Sequence, residues 1–180
     1  MTTENNLTDK YDTFWSRFFA GLLDGIILFP VSFVADNLKR SESSFVIVMG
    51  LFMSYSIFYF YSVGLHWYSG QTIGKKWMNI RVVDQSENKL MTLQQSFLRD
   101  SVYIVLETLG LIVLSIQILR LGHYPYDPSP IMTYLAWLGT AWFLLEIFSM
   151  LTNNKRRAFH DFIANSVVIK ENYWNNRHDR

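Results

Sequence analysis

Three carboxylates stand inside apolar stretches of this 180-residue chain: Asp24 in GLLDGIILFP, Glu107 in YIVLETLGL and Glu146 in WFLLEIFSM. An acidic side chain in hydrocarbon costs about 2.5–3.5 kcal/mol on insertion scales. Such groups therefore face a bundle interior, where they tie helices together or bind a cation or proton. Basic residues lie below two of them. Arg17 precedes Asp24 by seven residues, which returns to nearly the same helical face. Arg99 precedes Glu107 in a comparable way.

The elements that must carry these acids are four apolar runs, at residues 18–35, 45–64, 101–121 and 131–151. Each is long enough to cross a bilayer core, which takes roughly 20 helical residues. The first run follows a polar stretch and lacks a small-x-small cleavage site, so it is expected to be a retained span. At 1.5 Å per residue, Asp24, Glu107 and Glu146 all fall about 7–9 Å deep from one face of the bilayer. A shared depth is what a common polar site requires.

That face is expected to be cytoplasmic. With four spans, both termini and the 65–100 loop share one side, which holds thirteen of the sixteen Lys and Arg residues; only Lys39, Arg40 and Arg120 lie opposite. Short loops rich in Lys and Arg stay in the cytoplasm. The expected fold is therefore an all-α membrane protein with four transmembrane helices and cytoplasmic termini. Residues 1–16 form a cytoplasmic segment, 17–169 the membrane domain and 170–180 a tail.

Boundary signals agree. Gly122 and the HYPYDPSP segment end the third helix, and Ser129-Pro130 caps the fourth. Thr92 and Gln95 form a capping box, which starts the third helix near Leu93. Gly21 and Gly25 make a Gly-x-x-x-Gly pattern suited to close helix approach. In the middle loop, NIRVVD alternates like a strand and DQSENK reads as a turn, a hairpin-like segment. Gly70, Gly74 and Lys75 miss the phosphate-loop pattern, because Lys76 stands where Ser or Thr is needed. Lys75, Lys76 and Trp77 suit an anionic lipid surface. In the tail, Arg157, His160, Asp161 and Ala164 share one helical face, as in an amphipathic segment lying on the bilayer.

Composition excludes other classes. Aromatic and charged residues each make up 17%, the latter below the roughly 25% of soluble domains. A net charge of +1 and aromatics confined to apolar runs argue against nucleic acid. With no cysteine, disulfides, thiolate zinc sites and cysteine nucleophiles are absent. His66 and His123 have no evident link to His160. No metal, cofactor or enzymatic constellation is expected.

The order RFFAGLLDGIIL, GQTIGKKWMNIRVVD, FLRD and RRAFHDFIANSVVI resembles the RDD family of prokaryotic membrane proteins, named for one arginine and two aspartates. Arg17 and Asp24 match the first two, and the second aspartate is Asp84 or Asp161. The resemblance implies transport of an unidentified ligand, with sodium/proton exchange in some members. Asn165-Ser166 departs from a usual Gly-Thr, and Glu107 and Glu146 lie outside the family pattern.

Two readings follow. One is a transporter coupled to Na+ or H+, with Asp24, Glu107 and Glu146 as cation or proton site and Arg17, Arg99, Arg157, His160 and Asp161 in support. Four helices barely enclose a path, so a homo-oligomer is expected. The other is a non-catalytic accessory or regulatory subunit of a membrane protease or secretion complex, bound to another membrane protein. In both, the lipid bilayer is the first partner.

Overall fold

A computed structural model describes residues 9–178. Four long helices carry the expected runs: α1 (Phe14–Leu38), α2 (Ser44–Ser69), α4 (Leu93–Leu121) and α5 (Pro130–Thr152). Each is long and apolar enough to cross a membrane. Short elements fill the connections: α3 (Ile73–Trp77), β1 (Ile80–Asp84), α6 (Phe159–Ile163), β2 (Ser166–Lys170) and α7 (Glu171–His178).

The helix ends follow local chemistry. At α4, Thr92 Oγ1 accepts from the Gln95 N–H while the Gln95 side chain accepts from the Thr92 N–H, the expected capping box. Gly70 ends α2 at φ 74°, and a Cβ there would lie 2.6 Å from the Val82 carbonyl oxygen, so glycine is required twice over. Pro130 opens α5. The Ser129 hydroxyl, by contrast, makes no capping bond, and helix initiation there rests on the proline's preset φ.

The long helices pack as a row, with α2 between α1 and α4, and α5 laid on α4. Away from the termini, Ile47 and Leu51 of α2 meet Leu114 and Ile118 of α4 in a buried apolar cluster. Gly50 lets α1 approach, since a Cβ would come 2.8 Å from the Ala35 carbonyl oxygen. Gly21 and Gly25 behave otherwise than their spacing suggests. Nothing lies within 4 Å of a Cβ at either one, so they serve no close helix contact within the chain.

The hairpin expectation needs correcting. Asp84 N does bond Lys89 O at 3.1 Å, which closes the turn, but the ladder partner of β1 is β2, antiparallel, from Ile80↔Lys170 to Asp84↔Ser166. The tail is likewise helical for only five residues before it becomes β2. Valine doublets explain both outcomes. Val82 and Val168 pack with Ala20, Ile80 and Met91 on one face of the ribbon. Val83 and Val167 pack with Tyr11 and Ile169 on the other. A ribbon buried on both faces needs consecutive β-branched residues rather than alternation. Asn165, at φ 47°, makes the turn from α6 into β2. Asn is the residue that replaces Gly most readily in that conformation, which accounts for the departure from Gly at this position.

Candidate functional site

The starts of α1 and α4 converge with the end of α5 on α6, and Asp161 lies at the centre, 0% exposed. Its Oδ2 accepts from Arg17 Nη1 at 2.6 Å and from the Ala158 N–H at 3.0 Å. Its Oδ1 accepts from Ser166 Oγ at 3.3 Å and faces Arg99 Nη1 at 3.1 Å. Burial alone would raise the Asp161 pKa. Arg17 and Arg99 more than offset it and hold the carboxyl far below the ordinary range. The group therefore stays ionised, and one anion binds the two guanidinium groups of α1 and α4 to α6. Arg157 closes the far side. Its Nη2 donates to the Asp161 carbonyl at 2.9 Å, and its guanidinium lies 4.2 Å over the Phe162 ring.

His160, beside it, spans two helices. Its Nδ1 is 2.5 Å from Glu146 Oε1 of α5, and its Nε2 is 2.8 Å from Arg99 Nη2 of α4. Tyr103 OH donates to the other oxygen of Glu146 at 3.3 Å. The contact of His160 with its chain neighbour Asp161 is secondary, with Nε2 3.5 Å from Oδ1.

Asp24 belongs to a separate anchor. Its carboxylate accepts from Tyr61 OH at 2.6 Å, Thr72 Oγ1 at 2.6 Å and the Gly74 N–H at 2.8 Å. These donors come from α2 and from the start of α3. A Cβ on Gly74 would lie 2.2 Å from the Ala20 carbonyl oxygen, so α3 is seated directly on α1. Arg17, two turns away on the same helix, pairs with Asp161 and not with Asp24.

The three intramembrane acids therefore share no hydrogen-bond partner. Asp24 is saturated by α2 and α3, and Glu146 is held by His160 and Tyr103. Glu107 is half-buried beside Tyr59. The Tyr59 hydroxyl is buried without a hydrogen bond. Equal depth puts acids in one layer. It does not set their azimuth, and azimuth separates these three. Arg99, expected below Glu107, is spent on His160 and Asp161. Of the two candidates for the second aspartate, Asp161 meets Arg17, whereas Asp84 accepts from Gln95 Nε2 and the Ser86 N–H at the edge of the ribbon.

Several participants escaped the sequence reading. Thr72 and Gly74 read only as a failed phosphate loop. Ser62, His66 and Asp100 form a line in which Ser62 Oγ donates to Asp100 Oδ2 at 2.7 Å and lies 3.3 Å from His66 Nδ1. The expectation that Lys75, Lys76 and Trp77 all lie on the lipid surface needs correcting at Lys75. Lys76 and Trp77 are exposed. Lys75 is half-buried, and that burial, with Arg99 and Arg17 nearby, lowers its pKa to about 8 against the opposing pull of Asp24 and Asp100. No group of three or more His, Cys, Asp or Glu suited to a metal ion occurs among the described residues.

Four helices long and apolar enough to cross a membrane, two of them tied to α6 by buried charge pairs, are the architecture of a helical membrane protein. The family model of the RDD family matches residues 11–165, and the chain belongs to that family. No curated protein and no solved structure matches it.

Proposed function

We propose that this chain is a small, non-catalytic carrier for H+ or Na+ in a cell membrane, with its termini and the charge clasp in the cytoplasm. The supporting observation is the environment of Glu107. It is a half-buried carboxylate in a membrane helix, and its polar neighbour is the Tyr59 hydroxyl. Tyr103 lies within electrostatic reach of Glu107 and donates to Glu146, which His160 in turn contacts at the clasp. This order of groups leads from Glu107 to the clasp, on the side richer in Lys and Arg. Asp24, with three donors on its carboxylate, is an anchor in this reading. Glu107 takes the role of cation or proton group and Glu146 that of relay.

The test is flux into proteoliposomes loaded with a pH-sensitive dye, under imposed Na+ and pH gradients. Wild type is expected to dissipate the gradient and Glu107→Gln to lose most of that activity while remaining folded. Equal rates for wild type, Glu107→Gln and empty vesicles would end the carrier reading.

One observation favours the second reading, a regulatory subunit of another membrane protein. Only Glu146 and Ser149 of α5 are buried, and Tyr134, Trp137, Phe143, Leu144 and Phe148 are exposed. The same open face would serve a homo-oligomer. Native-membrane purification followed by mass measurement distinguishes a second copy from a foreign subunit.

A further inference from the structure

The chain repeats one unit: two long helices, a five-residue helix and a five-residue strand, first as α1–α2–α3–β1 and then as α4–α5–α6–β2. The ends of the two units match residue for residue at an offset of 86, as Phe159 follows Ile73. Thr72 and Ala158 precede the short helices at φ −72°, ψ 168° and φ −78°, ψ 166°. Met78 and Ala164 close them at φ −87°, ψ 6° and φ −83°, ψ −3°. Asn79 and Asn165 then turn the chain into the strand at φ 53° and 47°. The ladder has the same symmetry. Val82 pairs with Val168, its own counterpart, and the pairs Ile80↔Lys170 and Asp84↔Ser166 exchange places under the offset. A pseudo-twofold axis therefore passes through the Val82–Val168 pair, and α3 and α6 are counterparts.

Both short helices fold back beside the long ones. The Gly74 N–H donates to Asp24, ten residues in from the start of α1. Phe159 lies against Trp142, ten residues in from the end of α5, with ring centroids 6.1 Å apart. Ten residues are about 15 Å of helix. Irregular backbone is tolerated at such depth only where protein satisfies its polar groups. The Ile73 N–H accordingly donates to Tyr61 OH at 2.9 Å, and the Ala158 N–H to Asp161 Oδ2 at 3.0 Å. The faces match as well. At positions 2 and 3, Gly74 and Asp161 are buried and Lys75 and His160 half-buried. Positions 1, 4 and 5 are exposed in both: Ile73, Lys76 and Trp77 in α3, Phe159, Phe162 and Ile163 in α6.

We propose that α3 and α6 are a duplicated pair of re-entrant stubs whose positions 1, 4 and 5 are seated in lipid, at the boundary of headgroups and acyl chains on the Lys- and Arg-rich side. Depth and continuity identify the occupant. Each stub lies along long helices whose own outward residues are exposed and apolar, Phe18 and Leu22 on α1 and Phe97 on α4. Lys76, the one cation in the set, is long enough to reach the phosphate level while its stem stays in the apolar layer. The seating fixes the height of both anchors, because Asp161 belongs to α6 and the donors to Asp24 belong to the start of α3. It rests on the long helices crossing the bilayer and does not require that the chain carry ions.

The chain has no cysteine, so a single nitroxide label can be placed at will. The test uses the full-length protein in phosphatidylcholine–phosphatidylglycerol vesicles, with Ile73→Cys, Trp77→Cys, Phe159→Cys and Ile163→Cys each labelled in turn. Collisions with oxygen, which concentrates in lipid, are compared with collisions with a water-soluble nickel chelate. All four labels are expected to favour oxygen, at roughly 5–10 Å below the phosphate level. Ile73 and Phe159 should match in depth, as should Trp77 and Ile163. A label at Asn154→Cys, exposed in the α5–α6 connection, is the aqueous reference and should favour nickel. Nickel-favouring labels on either stub overturn the seating, since that stub then lies in water. Labels shielded from both reagents overturn it too, since a protein partner then covers the face. Each stub carries two labels, so if one variant fails to fold its neighbour decides. No ion flux is measured, so the stubs and the carrier stand or fall separately.

Discussion

Where the bundle meets α6, its helices are joined by charge: Arg17, Arg99 and Arg157 about Asp161, and His160 between Glu146 and Arg99. At the far end, α2 and α4 meet through Ile47, Leu51, Leu114 and Ile118, and no charged side chain is part of that cluster. The difference follows from the solvent. Lipid tails are as apolar as leucine, so burying aliphatic side chains between membrane helices gains only dispersion and fit. It says little about which helix must lie next to which. A buried carboxylate, in contrast, has few acceptable partners, and removing one leaves an uncompensated charge. The clasp therefore specifies the arrangement and the far end tolerates variation. The clasp is also where buried charges of both signs meet.

The comparison breaks most visibly at Asp161. Asp161→Asn leaves Arg17 and Arg99 buried without their anion, a loss of about 3–5 kcal/mol. Denaturant unfolding in detergent reads it, and an unchanged midpoint would refute the central place given to this residue. Next is Gly74→Ala, which forces α3 off α1 and off Asp24. Overpacking of this kind costs about 1–3 kcal/mol, and faster proteolysis between residues 69 and 80 is the expected sign. The smallest effect belongs to the far end. Ile118→Val trims a fully buried side chain and should cost about 0.5–1.5 kcal/mol. An Ile118→Val penalty equal to that of Asp161→Asn would erase the distinction between the two ends.

Much of the architecture was legible from local signals. The four apolar runs became the four long helices, because span length follows from bilayer thickness. The Thr92–Gln95 capping box and the Gly122 stop, at φ 81°, came out as read, because caps involve neighbours in sequence. The hairpin did not, because the best partner for Val82-Val83 is Val167-Val168, some 85 residues on, and strand pairing at that separation leaves no local trace. The candidate site shows the same division. Arg17, Arg99, Glu146, Arg157, His160 and Asp161 were all singled out, yet their partners were misassigned. Depth in the membrane is a matter of counting residues, whereas azimuth depends on which helix packs beside which.

The order of residues alone determined that the chain has four membrane-length helices, which acids sit inside them, and how the basic residues divide between the two sides, since each of these depends on composition and distance along the chain. Only the tertiary structure decided that Asp161 and not Asp24 receives Arg17, that Asp24 is closed off by Thr72, Tyr61 and Gly74, and that Arg99 meets His160 and Asp161. Those pairings depend on helix rotation and on contacts between segments up to 144 residues apart, and a buried charge takes whichever partner that packing brings within hydrogen-bonding distance.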